Sequence, residues 1–383
     1  MLNIISLSIR IRWLGHNLNK GISHRNFIFL VSLLCVWLLF NTMVIQEGPT
    51  ILYYLLSIII ILSMKTKSLL LFYIFFEMRV IPITIVVFFY GYQPEKLQAS
   101  FALLIYTVVS SLPLLLFILY LPFNFISGSL LTVPITLVFM VKSPIYLLHM
   151  WLPKAHVEAP VGGSMFLAGI LLKLGSYGLL LFLPIVKLNQ LLCIYFSLSL
   201  LGSLISAMVC LRQGDIKVLI AYSSVVHMGV VNLGFLRGTE IGYTCGLIMI
   251  LAHGLCSPLL FSFAFWLYQI SHSRQLLNNS FLAPSLGAAI LLLVLINMSV
   301  PPRLSLWSEL FMCVRVIFIM WWTIPLLLVV LFAGAVYNLY FYTACFFTKK
   351  YTLSEIRTVN YYPVIQRAFL CYTSFLCLEI FHL

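Results

Sequence analysis

Long apolar runs follow one another along almost the whole chain, separated by short polar stretches. They fall at 26–46, 50–63 (short), 68–90, 100–122, 132–151, 161–184, 188–211, 214–236 and 240–270. A proline-interrupted segment at 284–322 follows, then 324–347 and 362–383. At about 20 residues per bilayer crossing these runs predict about twelve transmembrane helices, or thirteen if 284–322 crosses twice. No barrel-like alternation is visible, and lipid requires every backbone polar group to be satisfied within the segment. The predicted fold class is therefore all-α and polytopic.

Two of the runs are broken by proline near their centres, at Val141-Lys142-Ser143-Pro144 and at Ser299-Val300-Pro301-Pro302-Arg303. Proline removes a backbone donor and frees carbonyls, which membrane interiors tolerate where the carbonyls line a hydrated cavity. A pair of such breaks in corresponding halves points to an inverted-repeat transporter. Their spacing suits two five-helix repeats (68–184 and 188–347), which the runs place between a basic N-terminal segment (1–25) with leading helices (26–63) and a C-terminal loop with a final helix (348–383).

Composition agrees. Of 383 residues, 63% are hydrophobic and 8% charged, against roughly 25% charged in soluble domains. The net charge of +13 does not imply nucleic acid, because the 22 basic residues are scattered over short loops and helix interiors. They read as anchors and orientation signals. With twelve spans, Lys96, Lys154, Arg212, Lys217, Arg274, Lys349, Lys350 and Arg357 fall on one side, the expected negative side. Lys65, Lys67, Lys187, Arg237 and the basic N-terminus fall on the other. The acid-free first 25 residues allow a transit peptide or, the preferred reading, an interfacial helix. The nine cysteines form no CxxC and sit mostly in apolar runs, as small hydrophobes. No metal site and no nucleotide-binding motif is expected.

The chemistry must then come from ionisable residues inside the membrane, where each costs about 2.5–3.5 kcal/mol on insertion scales. Glu77 lies in LLLFYIFFEMRVIPITIVVFF, with Arg79 two residues on and hence on another helix face. A lysine from another helix is its expected partner. Lys142 precedes the Pro144 break and Lys173 sits near the middle of its run. His227 and His253 fall in apolar runs beside Ser223, Ser224, Tyr222 and Ser257, and Glu309 follows the second break. Burial penalises a charged group and a nearby opposite charge restores it, so a lysine–carboxylate pair that parts and meets switches proton affinity. Histidine titrates near neutrality and suits a relay. The expected row runs Glu77, Lys142, Lys173, His227, His253, Glu309, acidic at both ends and basic in the middle. The turn WLPKAHVEAP, with Lys154, His156 and Glu158, reads as membrane-edge surface. On the residues alone three functions stay open: a proton-pumping subunit of a redox-driven complex, a cation/proton antiporter without a redox partner, and a scaffold joining other membrane subunits.

At these residues the chain resembles the antiporter-like membrane subunits of respiratory complex I, a family shared with multisubunit cation/proton antiporters. The passages are FYIFFE…IP (72–82), GYQPEKLQA (91–99), VKSPIYLLHMWLPKAHVEAPVGGSMFLAGILLKLGSYG (141–178), LRQGDIKVLIAYSSVVHMG (211–229), AHGLCSPLLF (252–261) and PPRLSLWSELF (301–311). The resemblance implies that Glu77, Lys142, Lys173 and Glu309 translocate protons and that His227 and His253 lie on a central polar axis. It implies fourteen helices with two inverted five-helix repeats, in the mitochondrial inner membrane. Proton pumping would be driven by quinone reduction in other subunits. The partners it implies are other membrane-arm subunits, especially neighbouring antiporter-like chains, and the lipid bilayer. No cofactor is expected on this chain; NADH, FMN, iron–sulfur clusters and ubiquinone belong to the assembled complex. The chain departs from the family in the single helix before 50–63, in Arg79 where an uncharged residue is usual, and beyond Phe347, where the match fades.

Overall fold

The computed structural model describes residues 24–45, 48–66, 68–120, 132–182, 190–236, 240–276, 284–300, 304–319 and 323–347. Most of the basic N-terminal segment and the expected final helix at 362–383 lie outside the described residues. Within them the chain is helical, without a strand; one isolated bridge joins Asp215 and Gln275. The leading pair is α1 (His24–Val44) and α2 (Thr50–Lys65). Next come α3 (Leu69–Met78), α4 (Val80–Tyr90), α5 (Lys96–Tyr120), α6 (Thr132–Lys142) and α7 (Trp151–Glu158). A rod follows made of α8 (Val161–Phe166), a π turn (Leu167–Leu171) and α9 (Leu172–Phe182). The rest is α10 (Gln190–Cys210), α11 (Ile216–Leu236), α12 (Glu240–Ser271), α13 (Pro284–Asn297), α14 (Leu304–Ile319) and α15 (Ile324–Phe347).

Among the described residues, seven helices are long and apolar enough to cross a membrane, and α1 and α2 are shorter apolar ones. The rod 161–182, α11 and α12 are almost wholly buried, whereas less than half of α5, α10 and α15 is buried. The polar residues singled out in the sequence lie mostly on the buried rods and the ends that meet them.

Local interruptions shape this interior. Pro82 cannot donate to the Met78 carbonyl, and the helix turns at Arg79, between α3 and α4. Pro144 likewise deprives the Met140 carbonyl, which accepts instead from the Ile145 amide at 3.1 Å. The chain then crosses a non-helical stretch in which Leu147 adopts φ 78°, a left-handed conformation that a bulky side chain resists. Two side chains take up freed carbonyls: Trp151 Nε1 donates to Val141 O at 3.1 Å and Asn232 Nδ2 to Ser143 O at 2.9 Å. The second break is similar. Helix α13 ends at Asn297 and Ser299 has φ 56°; Pro301, Pro302 and Arg303 lie outside the described residues.

Small residues set the spacing between rods. A Cβ on Gly175 of α9 would stand 2.8 Å from the Lys142 carbonyl carbon and the Ser143 amide nitrogen. Only glycine lets α9 lie against the broken end of α6. Gly254 of α12 faces the Gly169 carbonyl of the π turn in the same way, at 3.1 Å from its notional Cβ.

Candidate functional site: a buried polar row

The first cluster forms where α3 meets the broken end of α6. Lys142 Nζ donates to Glu77 Oε1 at 2.5 Å, the lysine buried and the carboxylate about one-fifth exposed. Glu77 therefore pairs with a lysine from another helix. Lys142 also stands 3.8 Å from the centroid of the Phe76 ring, and Arg79 Cζ 4.1 Å from the same ring, within the range of cation–π attraction. Arg79 is buried, its Nε donating to Phe76 O at 2.8 Å and its Nη1 to Leu171 O at 3.1 Å in the π turn. Phe76 packs edge-on to Phe139, which closes an apolar wall beside the pair.

The second cluster starts two residues before Gly175. Lys173 Nζ donates to the Ala168 carbonyl of the π turn and lies 2.7 Å from His253 Nδ1 of α12. The His253 ring faces the His227 ring of α11, centroids 5.5 Å apart. His227 Nδ1 in turn lies 3.4 Å from Glu309 Oε1 of α14. Ser299, on the second break, donates its hydroxyl to the same carboxylate oxygen at 2.9 Å. A small cavity lies between the two histidines and the break, lined by Cys256, Asn297, Ser299 and Ser305 as well. All four groups of the row are buried, so charge on any of them must be met by another.

The six residues named from the sequence thus gather into two clusters, and the order within the second differs from expectation. His253, not His227, adjoins Lys173, because α12 packs on the π turn while α11 lies beyond it. Between the clusters no hydrogen bond or ion pair joins Lys142 to Lys173 among the described residues. The link there is the backbone contact at Gly175.

The turn WLPKAHVEAP is a second correction. Lys154 is exposed, but His156 is fully buried, stacked on Phe261 at 4.7 Å, and neither ring nitrogen has a hydrogen-bond partner among the described residues. Glu158 is buried at the end of α7, facing Gln93 and Arg274, and Lys217 donates to the carbonyls of Val157 and Ala159. A proline and three polar residues read as surface, yet the segment folds back under α11 and α12. Sequence reasoning also passed over Asn232 and the amide pair in which Asn297 Nδ2 donates to Asn338 Oδ1 at 2.9 Å, and it gave Ser299 no role beyond marking the break. An amide inside an apolar run was the available signal for each asparagine.

The family described as NADH:quinone oxidoreductase/Mrp antiporter, TM, matches residues 66–335. NADH-ubiquinone oxidoreductase chain 4 of Ceratitis capitata is 43% identical over 305 residues, 75% of this chain and 68% of that one. The chain 4 of Artemia franciscana is 39% identical over 340 residues, 83% of this chain and 86% of that one. Among solved structures, respiratory complex I from Thermus thermophilus with bound NADH contains a chain of similar fold. Its TM-score is 0.77 at 24% identity, covering 91% of this chain and 78% of that one. An archaeal membrane-bound sulfane sulfur reductase also contains one, with TM-score 0.73 at 16% identity, covering 99% and 94%. These two likenesses concern the fold. The chain belongs to the NADH:quinone oxidoreductase/Mrp antiporter membrane family, among the chain 4 proteins of NADH-ubiquinone oxidoreductase.

Proposed function

We propose that this member of the family is a proton-translocating membrane-arm subunit of mitochondrial respiratory complex I. It works in the inner membrane beside other membrane-arm subunits. NADH oxidation and ubiquinone reduction, with FMN and iron–sulfur clusters, belong to other subunits of the assembly. The cation/proton antiporter reading loses ground because the relatives named above are NADH-ubiquinone oxidoreductase chains.

The observation that carries the reading is the contact row Lys173–His253–His227–Glu309, buried from end to end. In it Lys173 and His253 share a proton across 2.7 Å, His227 passes one to Glu309, and Ser299 orients the receiving carboxylate. Glu77 and Lys142 form the switch that loads it. In this reading 68–184 and 188–347 are the two inverted repeats. The energy scale is adequate: a proton moved against 100 mV needs about 2.3 kcal/mol, and each pKa unit of switching supplies about 1.4 kcal/mol.

The test is Lys173→Met in the assembled complex, reading protons pumped per electron alongside the yield of intact complex. Pumping is expected to fall to background with assembly retained. A normal proton-to-electron ratio overturns the assignment.

A further inference from the structure

We propose that Arg79 is a second, stationary counter-charge for Glu77, which compensates the carboxylate's charge from its fixed position whenever Lys142 gives up its proton. The inference rests on Lys142 being a proton carrier, as in the function proposed above, and assigns a positioning role to a residue outside the row.

Three observations carry it. Glu77 uses one carboxylate oxygen on Lys142, while the other, Oε2, is buried with no hydrogen-bond partner. Arg79 and Lys142 rest on the same ring, that of Phe76, the residue before Glu77. Finally, Arg79 is held in place by two backbone carbonyls from different elements, Phe76 O at the end of α3 and Leu171 O in the π turn. A guanidinium does not release its proton in proteins. Arg79 is therefore a fixed positive charge that cannot join the relay, placed within electrostatic reach of both partners of a pair that can.

The consequence is a change in the charge the interior must hold. With Glu77 and Lys142 alone, loss of the lysine proton would turn a neutral pair into a buried anion, which is strongly disfavoured. With Arg79 present, the cluster passes from a single positive charge to neutral. On giving up its proton towards the Lys173 side Lys142 becomes a neutral amine, and Glu77 stays ionised throughout. Among the described residues no other charge faces the pair. Lys142 is faced by Glu77 and Arg79, and Glu77 also by the phenol of Tyr73. Of the helices packed on α6, α5 brings the Ser111 hydroxyl to Tyr73 and α9 brings Gly175.

The test is the pH profile of proton pumping by the assembled complex carrying Arg79→Gln, Arg79→Met or Arg79→Lys, with Lys142→Met in parallel. Glutamine keeps a donor for Leu171 O without charge, whereas lysine keeps charge with fewer bonds. Loss of the fixed cation is expected to move the alkaline limb of the profile upward by about one pH unit or more in the glutamine and methionine variants, with lysine close to the parent. A parental profile in Arg79→Gln overturns the proposal, since tethering alone would then suffice; so does a shifted profile in Arg79→Lys. Should the neutral variants fail to assemble, Arg79→Lys decides by the same criterion. Normal pumping in Lys142→Met would instead sink the underlying assignment, whatever Arg79 does.

Discussion

At one end of the polar interior a carboxylate and an ammonium meet at 2.5 Å, with a fixed guanidinium on the same aromatic ring. At the other end a lysine, two imidazoles and a carboxylate follow one another across four helices, at spacings from 2.7 to 5.5 Å. The first cluster concentrates charge and has a strong reason to stay closed. The second spreads its polarity over groups that exchange a proton without large changes in net charge. A buried ion pair is costly to break by removing one partner, whereas an imidazole can accept a proton on one ring nitrogen and donate one from the other. The two regions use similar residue types for switching and for conduction.

That contrast can be broken most forcefully at Glu77. Glu77→Gln strands Lys142 in the interior and should destabilise the complex by about 3–5 kcal/mol, read as a lower melting temperature of the assembled complex. Adding Lys142→Met should restore most of the stability but not the pumping. If the single variant melts like the parent, the first cluster is not an ion pair in the sense argued here. His253→Phe takes a polar partner from the buried Lys173 and should cost about 1–3 kcal/mol in stability while slowing proton translocation about a hundredfold, the scale of a lost general acid–base group; unaltered translocation would remove the imidazoles from the route.

Much of the first cluster was legible in the sequence for a simple reason. A lone carboxylate or lysine in an apolar run requires a partner, and Glu77 and Lys142 were two of very few such residues. The second cluster was legible in membership but not in order, since His227 precedes His253 along the chain while α12 brings His253 against the π turn. Nothing in LAGIL (167–171) announces that turn, whose carbonyls engage both Lys173 and Arg79. The burial of His156 was hidden for the opposite reason, because its neighbours Pro153, Lys154 and Glu158 give the stretch the composition of a loop.

Two smaller tests sharpen the difference between scaffold and route. Asn232→Leu removes the donor to Ser143 O at the α6 break and should cost about 1–3 kcal/mol, the penalty of an unsatisfied buried group, with pumping per electron retained in the complexes that assemble. Lys154→Ala, on an exposed side chain, should change melting by less than about 0.5 kcal/mol and leave pumping at the parental rate. A pumping defect there would return WLPKAHVEAP to the mechanism by way of its lysine.

The contact at Gly175 has a genetic consequence. Every other amino acid carries a Cβ, and here that atom would meet the backbone at Lys142 and Ser143 rather than a flexible side chain. No mild replacement exists, so the position has no neighbouring tolerated alleles through which it could drift. A side chain at this codon would press first on the backbone that carries Lys142, the partner of Glu77.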